Sequence, residues 1–169
     1  AIENPELVAG LVLAAPVVRG WDWSDEVRAF GAREDELLDA GDLDGAVDLN
    51  IETWVIGQGR EREDVDGALI ERVAAMQRRA FEVQMAVPDA EVNFPDWLAV
   101  DNLGHVQAEA LLISGVHDVG DIHRIVAKLD AEISGAKHIS LVDTAHMIPM
   151  ERPEAFAKHA LKFLEGLLR

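Results

Sequence analysis

The sequence predicts an α/β fold: a short parallel sheet of about three strands, flanked by helices and carrying a helical cap insertion. Three observations predict it. Short apolar runs occur three times, and the first two are continuous rather than alternating, as strands covered on both faces require. Segments with helical periodicity follow the second and third runs. About ninety residues separate the first run from the second, far too many for one crossover and rich in helical pattern.

The first strand is predicted at Val8–Ala14 and stops at Ala15-Pro16. A strongly acidic stretch follows. Gly20 to Asp66 holds fifteen Asp/Glu against four Lys/Arg, which marks a sub-region with its own surface. Within it Leu43, Ala46, Val47, Ile51, Trp54 and Val55 recur at spacings of three and four. Asp42 is placed as N-cap and Gly57 as stop. A longer helix is predicted from Gly67 to Val87, with Leu69, Ile70, Val73, Met76, Ala80, Phe81 and Met85 on one face and Pro88 ending it. The second strand is Ala110–Ser114, closed by Gly115. A helix from Ile122 to Ile133 carries Ile122, Ile125, Val126 and Leu129 inward, with Gly135 beyond. The third strand, Lys137–Val142, ends at Asp143-Thr144. A last helix runs from Pro153 to Leu168 with Phe156, Ala160, Phe163, Leu164 and Leu167 on one face. The last two strands and helices form a βαβα unit, whose crossover is expected to be right-handed. The chain therefore divides into a first core strand and turn at 1–19, an acidic helical cap at 20–104 and a C-terminal core at 105–169.

Composition narrows the function. The chain has 169 residues, 49% of them hydrophobic, enough to bury roughly 70% of its unfolded surface. Without cysteine there is no disulfide, thiolate metal site or cysteine nucleophile. A formal charge of −17 opposes nucleic acid and anionic lipid, which need Lys and Arg at their phosphates. No apolar run reaches a membrane span, and the first residues have no basic leader. A cytoplasmic protein without a cofactor is expected.

Two loops carry the candidate chemistry, each directly after a strand: Ser114–Asp121 and Asp143–Glu154. Ligands of open parallel sheets bind at the carboxyl ends of strands. An acid on one such loop and a histidine on the next can meet there. The carboxylate fixes the imidazole tautomer and leaves the second ring nitrogen as a base. The plainer reading of Asp118 or Asp121 is a cap on the following helix, and for Asp121 the cap is preferred. His117, Asp118, Asp121 and His123 also offer four metal-ligand side chains in seven residues, but at a spacing no helical site uses. His105, His138 and His159 stand apart and read as structural or exposed.

The order strand, G-x-x-D (Gly115–Asp118), amphipathic helix, strand, and A-H-x-x-x-x-E-R-P-E (Ala145–Glu154) resembles the C-terminal portion of the α/β-hydrolase superfamily: a cap plus the last three strands. The opening NPELVAGLVLAAP and the acidic stretch resemble the strand and cap of small esterases and enol-lactone hydrolases. The resemblance implies that Asp118 is the triad acid and His146 the general base. It further implies that Trp21, Trp23, Trp54, Phe94, Trp97 and Met147 line a substrate pocket, and that His117 faces cap or solvent.

One departure is decisive. The family's serine sits in G-x-S-x-G, a strained strand-to-helix turn. None of Ser24, Ser114, Ser134 and Ser140 has that setting. Losing the serine costs about 10⁶ in kcat in a well-studied protease. The chain is therefore expected to be the acid/base half of an ester or lactone hydrolase, inactive alone. The other reading is a non-catalytic or engineered half-fold that binds small molecules and homo-oligomerises. Under either, the apolar edge strand Val8–Ala14 is expected to be covered, by a second copy or by an N-terminal fragment.

Overall fold

In the computed structural model, which describes residues 1–87 and 94–168, the three apolar runs become strands β1 (Gly10–Ala14), β2 (Glu109–Gly115) and β3 (Lys137–Leu141). They form one parallel sheet in the order β1-β2-β3. Gly10 pairs with Glu109 and Ala14 with Ile113; Leu111 pairs with Lys137 and Gly115 with Leu141. β1 starts two residues later than the apolar run suggests. Pro5–Leu7 form a 3-10 turn instead, in which Val8 donates its N–H to the Pro5 carbonyl.

The chain divides into two compact units. The first, Ala1–Asp22 with Trp97–Arg169, contains the sheet. Helix α4 (Gly120–Glu132) lies on one face of it, burying Ile122, Ile125, Val126 and Leu129, as the periodicity requires. Helix α6 (Pro153–Leu167) lies on the other, where Phe163 and Leu167 meet Gly10. A short helix α5 (Ile148–Glu151) leads into it. The middle strand is covered on both faces: Ala110, Leu112 and Ile113 are wholly buried. β1 is only half-buried at all five residues, because one of its edges pairs with nothing among the described residues.

The second unit, Trp23–Asp96, is helical. Helix α1 (Asp25–Asp39) was not delimited by periodicity, since Leu37 is its single buried residue. Its signals are local: Ser24 caps Val27 N–H at 3.4 Å, and Asp25 and Glu26 occupy the first turn. Helix α2 (Leu43–Asn50) starts as predicted, with Asp42 accepting from Gly45 N–H at 2.9 Å. It then widens into a π-helical turn, Ile51–Ile56, where Gly57 N–H reaches back five residues to the Glu52 carbonyl. Gly57 takes φ 72° and stops it. Helix α3 (Gly67–Ala86) buries Ile70, Val73 and Phe81. Met76 and Met85, expected on the same face, are about half exposed. Pro88, the expected stop, lies outside the described residues. Arg62 bonds Glu52 (2.8 Å) and Asp48, and these two carboxylates raise its guanidinium pKa.

The helical unit, Trp23–Asp96, is narrower than the 20–104 interval expected for the cap insertion. The 3-10 turns Ala99–Asp101 and Leu103–His105 belong to the sheet unit, where Leu103 and Val106 are buried. Charge marked the acidic part of the chain, but apolar packing decides where it rejoins the core.

Candidate active site

The site is built where β2 and β3 end side by side. The loops that leave them are tied together. Val116 donates its N–H to the Leu141 carbonyl (3.0 Å), and His117 to the Thr144 carbonyl (2.9 Å). Gly115 permits this approach. A Cβ there would lie 2.1 Å from the Ala145 oxygen and 2.3 Å from the Thr144 oxygen, so only glycine fits.

Asp118 and His146 meet across these loops. His146 Nδ1 lies 3.0 Å from Asp118 Oδ2 and 3.2 Å from Oδ1, so Nδ1–H donates to both carboxylate oxygens. Val119 N–H adds a bond of 2.8 Å to Oδ1. Asp118 is fully buried and the His146 side chain is 23% exposed. A buried carboxylate is tolerable only with such partners. The arrangement holds the imidazole in one tautomer, orients the ring, and makes Nε2 the nitrogen that can take a proton.

The histidine loop has its own supports. Asp143 adopts φ 49°, and Thr144 Oγ1–H donates to the Val142 carbonyl at 2.9 Å. Glu151 Oε1 accepts from Ala145 N–H at 2.9 Å, one residue before His146. Arg152 pairs with Asp143 at 3.2 Å. Glu151 and Arg152 were legible in the sequence only as parts of the E-R-P-E motif, and Gly115 as a strand stop and the start of G-x-x-D, not as the point where the two loops cross.

Asp121 does not cap α4. The N-cap is Val119, without a side-chain bond, and Asp121 lies in the first turn. Its buried carboxylate instead accepts from the Trp21 indole N–H at 2.9 Å and pairs with Arg124 at 3.0 Å. A tertiary donor has displaced the local cap.

The expected pocket residues fall into separate places. Trp21 sits at the start of α4 through Asp121, and Met147 adjoins His146 as N-cap of α5. Trp97 lies elsewhere. It lines a cavity of about 320 Å³ whose walls include neither Asp118 nor His146, and its indole donates to Glu3 at 3.0 Å. Trp23, Trp54 and Phe94 belong to the helical unit. There Trp54 packs edge-on against Phe30 at 5.4 Å and 84°, and Phe94 is 63% exposed. His117 is half-buried. Ser114 is buried, with Oγ 2.9 Å from His138 Nε2, so His138 is not isolated as its sequence setting suggested. Among the described residues no three His, Asp or Glu side chains converge as metal ligands, and the His117–His123 cluster is not one. No described helix is long and apolar enough to cross a membrane.

With this geometry established, comparison with solved structures gives the fold. The chain matches MenH from S. aureus over its whole length (TM-score 0.70, 16% identity, 65% of that chain). It matches a thermophilic esterase from Thermogutta terrifontis over 98% of its length (TM-score 0.69, 17% identity, 58% of that chain). It matches the carboxylesterase CesB from Bacillus subtilis over 98% (TM-score 0.65, 19% identity, 54% of that chain). The fold is a partial α/β-hydrolase fold. The chain spans between about half and two thirds of the structures it matches. No family model matches the sequence, and no curated protein matches it.

Proposed function

We propose that this chain is the acid–base part of a serine hydrolase acting on a carboxylic ester or lactone. The observation that carries the proposal is the bidentate contact between buried Asp118 and His146 Nδ1 at the carboxyl end of the sheet. In this reading His146 Nε2 takes the proton of a serine hydroxyl as it attacks the ester carbonyl. It then returns that proton to the leaving alcohol, and Asp118 stabilises the imidazolium between the two steps. Trp21 and Met147 flank the acyl group.

The serine comes from outside these 169 residues, because no G-x-S-x-G is present and Ser114 is buried against His138. The place where it arrives is the open edge of β1. That edge is GLVLA, wholly apolar, whereas β3 begins with Lys137 and His138. A further parallel strand beside β1, joined to it by a right-handed crossover, would place its helix on the α4 face. That face carries the cavity of about 320 Å³, walled by Leu11, Leu13, Val17, Leu129 and Ile133. A strand and a helix together fit both the edge and the cavity. A second copy of the chain would offer only another edge.

The test is hydrolysis of p-nitrophenyl acetate. The chain alone is expected to give a background rate that His146→Ala leaves unchanged. A form of the protein that includes a G-x-S-x-G segment is expected to turn over and to lose activity in Asp118→Ala and His146→Ala. Turnover by the 169-residue chain that depends on His146 would show that a nucleophile lies within it. Turnover by the longer form that ignores His146 would refute the role assigned to the pair.

A further inference from the structure

We propose a second binding site, for a small amphipathic carboxylate, between α6 and the first residues of β2 and β3. A pocket of about 350 Å³ opens there, within the range of small-molecule sites. Its floor is apolar: Leu111 and Phe163 are buried and Ile139 is half-buried. Its rim is basic. The chain has only four lysines, and two of them, Lys137 and Lys162, stand on this pocket beside His159.

The two rim lysines differ in state. Glu109 holds Lys137 at 3.2 Å, so that ammonium is already matched. Lys162 and His159 have no hydrogen-bond or ion-pair partner among the described residues. They project from the same face of α6 as Phe163, at helical spacing. Gly166, one turn further, would have nothing within 4 Å of a Cβ, so the mouth of the pocket is open.

A ligand that satisfies both parts needs one anionic head and a short hydrocarbon tail. The tail covers Leu111, Ile139 and Phe163, and the head reaches Lys162. The field of a chain at −17 opposes any anion, and a compact inorganic one gains nothing from the floor to offset it. A neutral alcohol gains nothing from the rim. An aliphatic carboxylate of medium length meets both conditions. Glu109 to Gly115 spans the length of β2, about 20 Å, so this pocket is at the opposite end of the sheet from Asp118 and His146. It is a separate site, and it stands independently of the hydrolase reading.

The probe is octanoate, followed by heteronuclear NMR of the full chain, with octanol and inorganic phosphate as controls. Saturable shifts at Ile139, Phe163 and His159 are expected with octanoate. Octanol and phosphate should be much weaker. Lys162→Gln removes an exposed charge without touching the core and should weaken octanoate by about fivefold. Four results would overturn the site: shifts that do not saturate, shifts centred on Leu11 and Leu13 instead, equal binding of octanol, or unchanged affinity in Lys162→Gln.

Discussion

Gly115→Ala tests the geometry of the proposed site most directly. The added methyl would lie 2.1 Å and 2.3 Å from two backbone carbonyl oxygens, neither of which can rotate away as a side chain could. The histidine loop must retreat by roughly 1 Å before the contact is tolerable. That retreat stretches the His117 N–H to Thr144 carbonyl bond, now 2.9 Å, beyond useful length. A lost backbone bond costs about 1 kcal/mol and the overpacking about 1–3 kcal/mol, so the variant should lose about 2–4 kcal/mol. The same shift separates Nδ1 of His146 from Asp118. The assay is urea unfolding followed by circular dichroism, paired with the His146 Nδ1 proton in an NMR spectrum. A midpoint within error of the parent, with that proton unmoved, would refute the claim that the two loops cross too closely for any side chain.

Three further variants probe other links. Asp118→Asn keeps the shape but replaces the carboxylate that selects the tautomer. The nitrogen-15 spectrum of His146 should show the Nδ1–H form losing its dominance, and an unchanged spectrum would count against Asp118 as orienting group. Glu151→Ala leaves Ala145 N–H without its acceptor and should cost about 1–2 kcal/mol in thermal or urea unfolding, while Glu151→Gln, which can still accept, should recover most of it. Equal losses in both would mean that the charge matters rather than the bond. Trp54→Ala removes the edge-on contact with Phe30 and should cost about 2 kcal/mol in urea unfolding of the chain; an unchanged midpoint would count against that contact as a stabilising one.

Much of the fold was legible because its signals are local. The runs Ala110–Ser114 and Ile122–Ile133 are apolar enough, and regular enough, that burial leaves one solution, and β2 and α4 lie within two residues of the expected ends. The Asp118–His146 pair was legible only through motif order, since neither residue's spacing demands the contact. Other features depend on distant partners. Asp121 has the residue type of a cap, yet Trp21, 100 residues away in sequence, takes its carboxylate. Trp97 has the residue type of a pocket wall, yet it lines a cavity beside β1. The α1 helix escaped periodicity because it buries a single side chain, so its capping residues were its only signal.

Asp118 and His146 are only 28 residues apart, on the loops that leave β2 and β3. A single crossover, β2-α4-β3, therefore brings them together. Pairing β1 with β2, by contrast, joins residues about a hundred positions apart. With the insertion unfolded, the longer closure costs roughly 1 kcal/mol more in chain entropy. Local contacts form faster than distant ones. The Asp118–His146 contact can thus form while the first strand is still unpaired. Folding would then bring Asp118 and His146 together before the apolar edge of β1 is positioned.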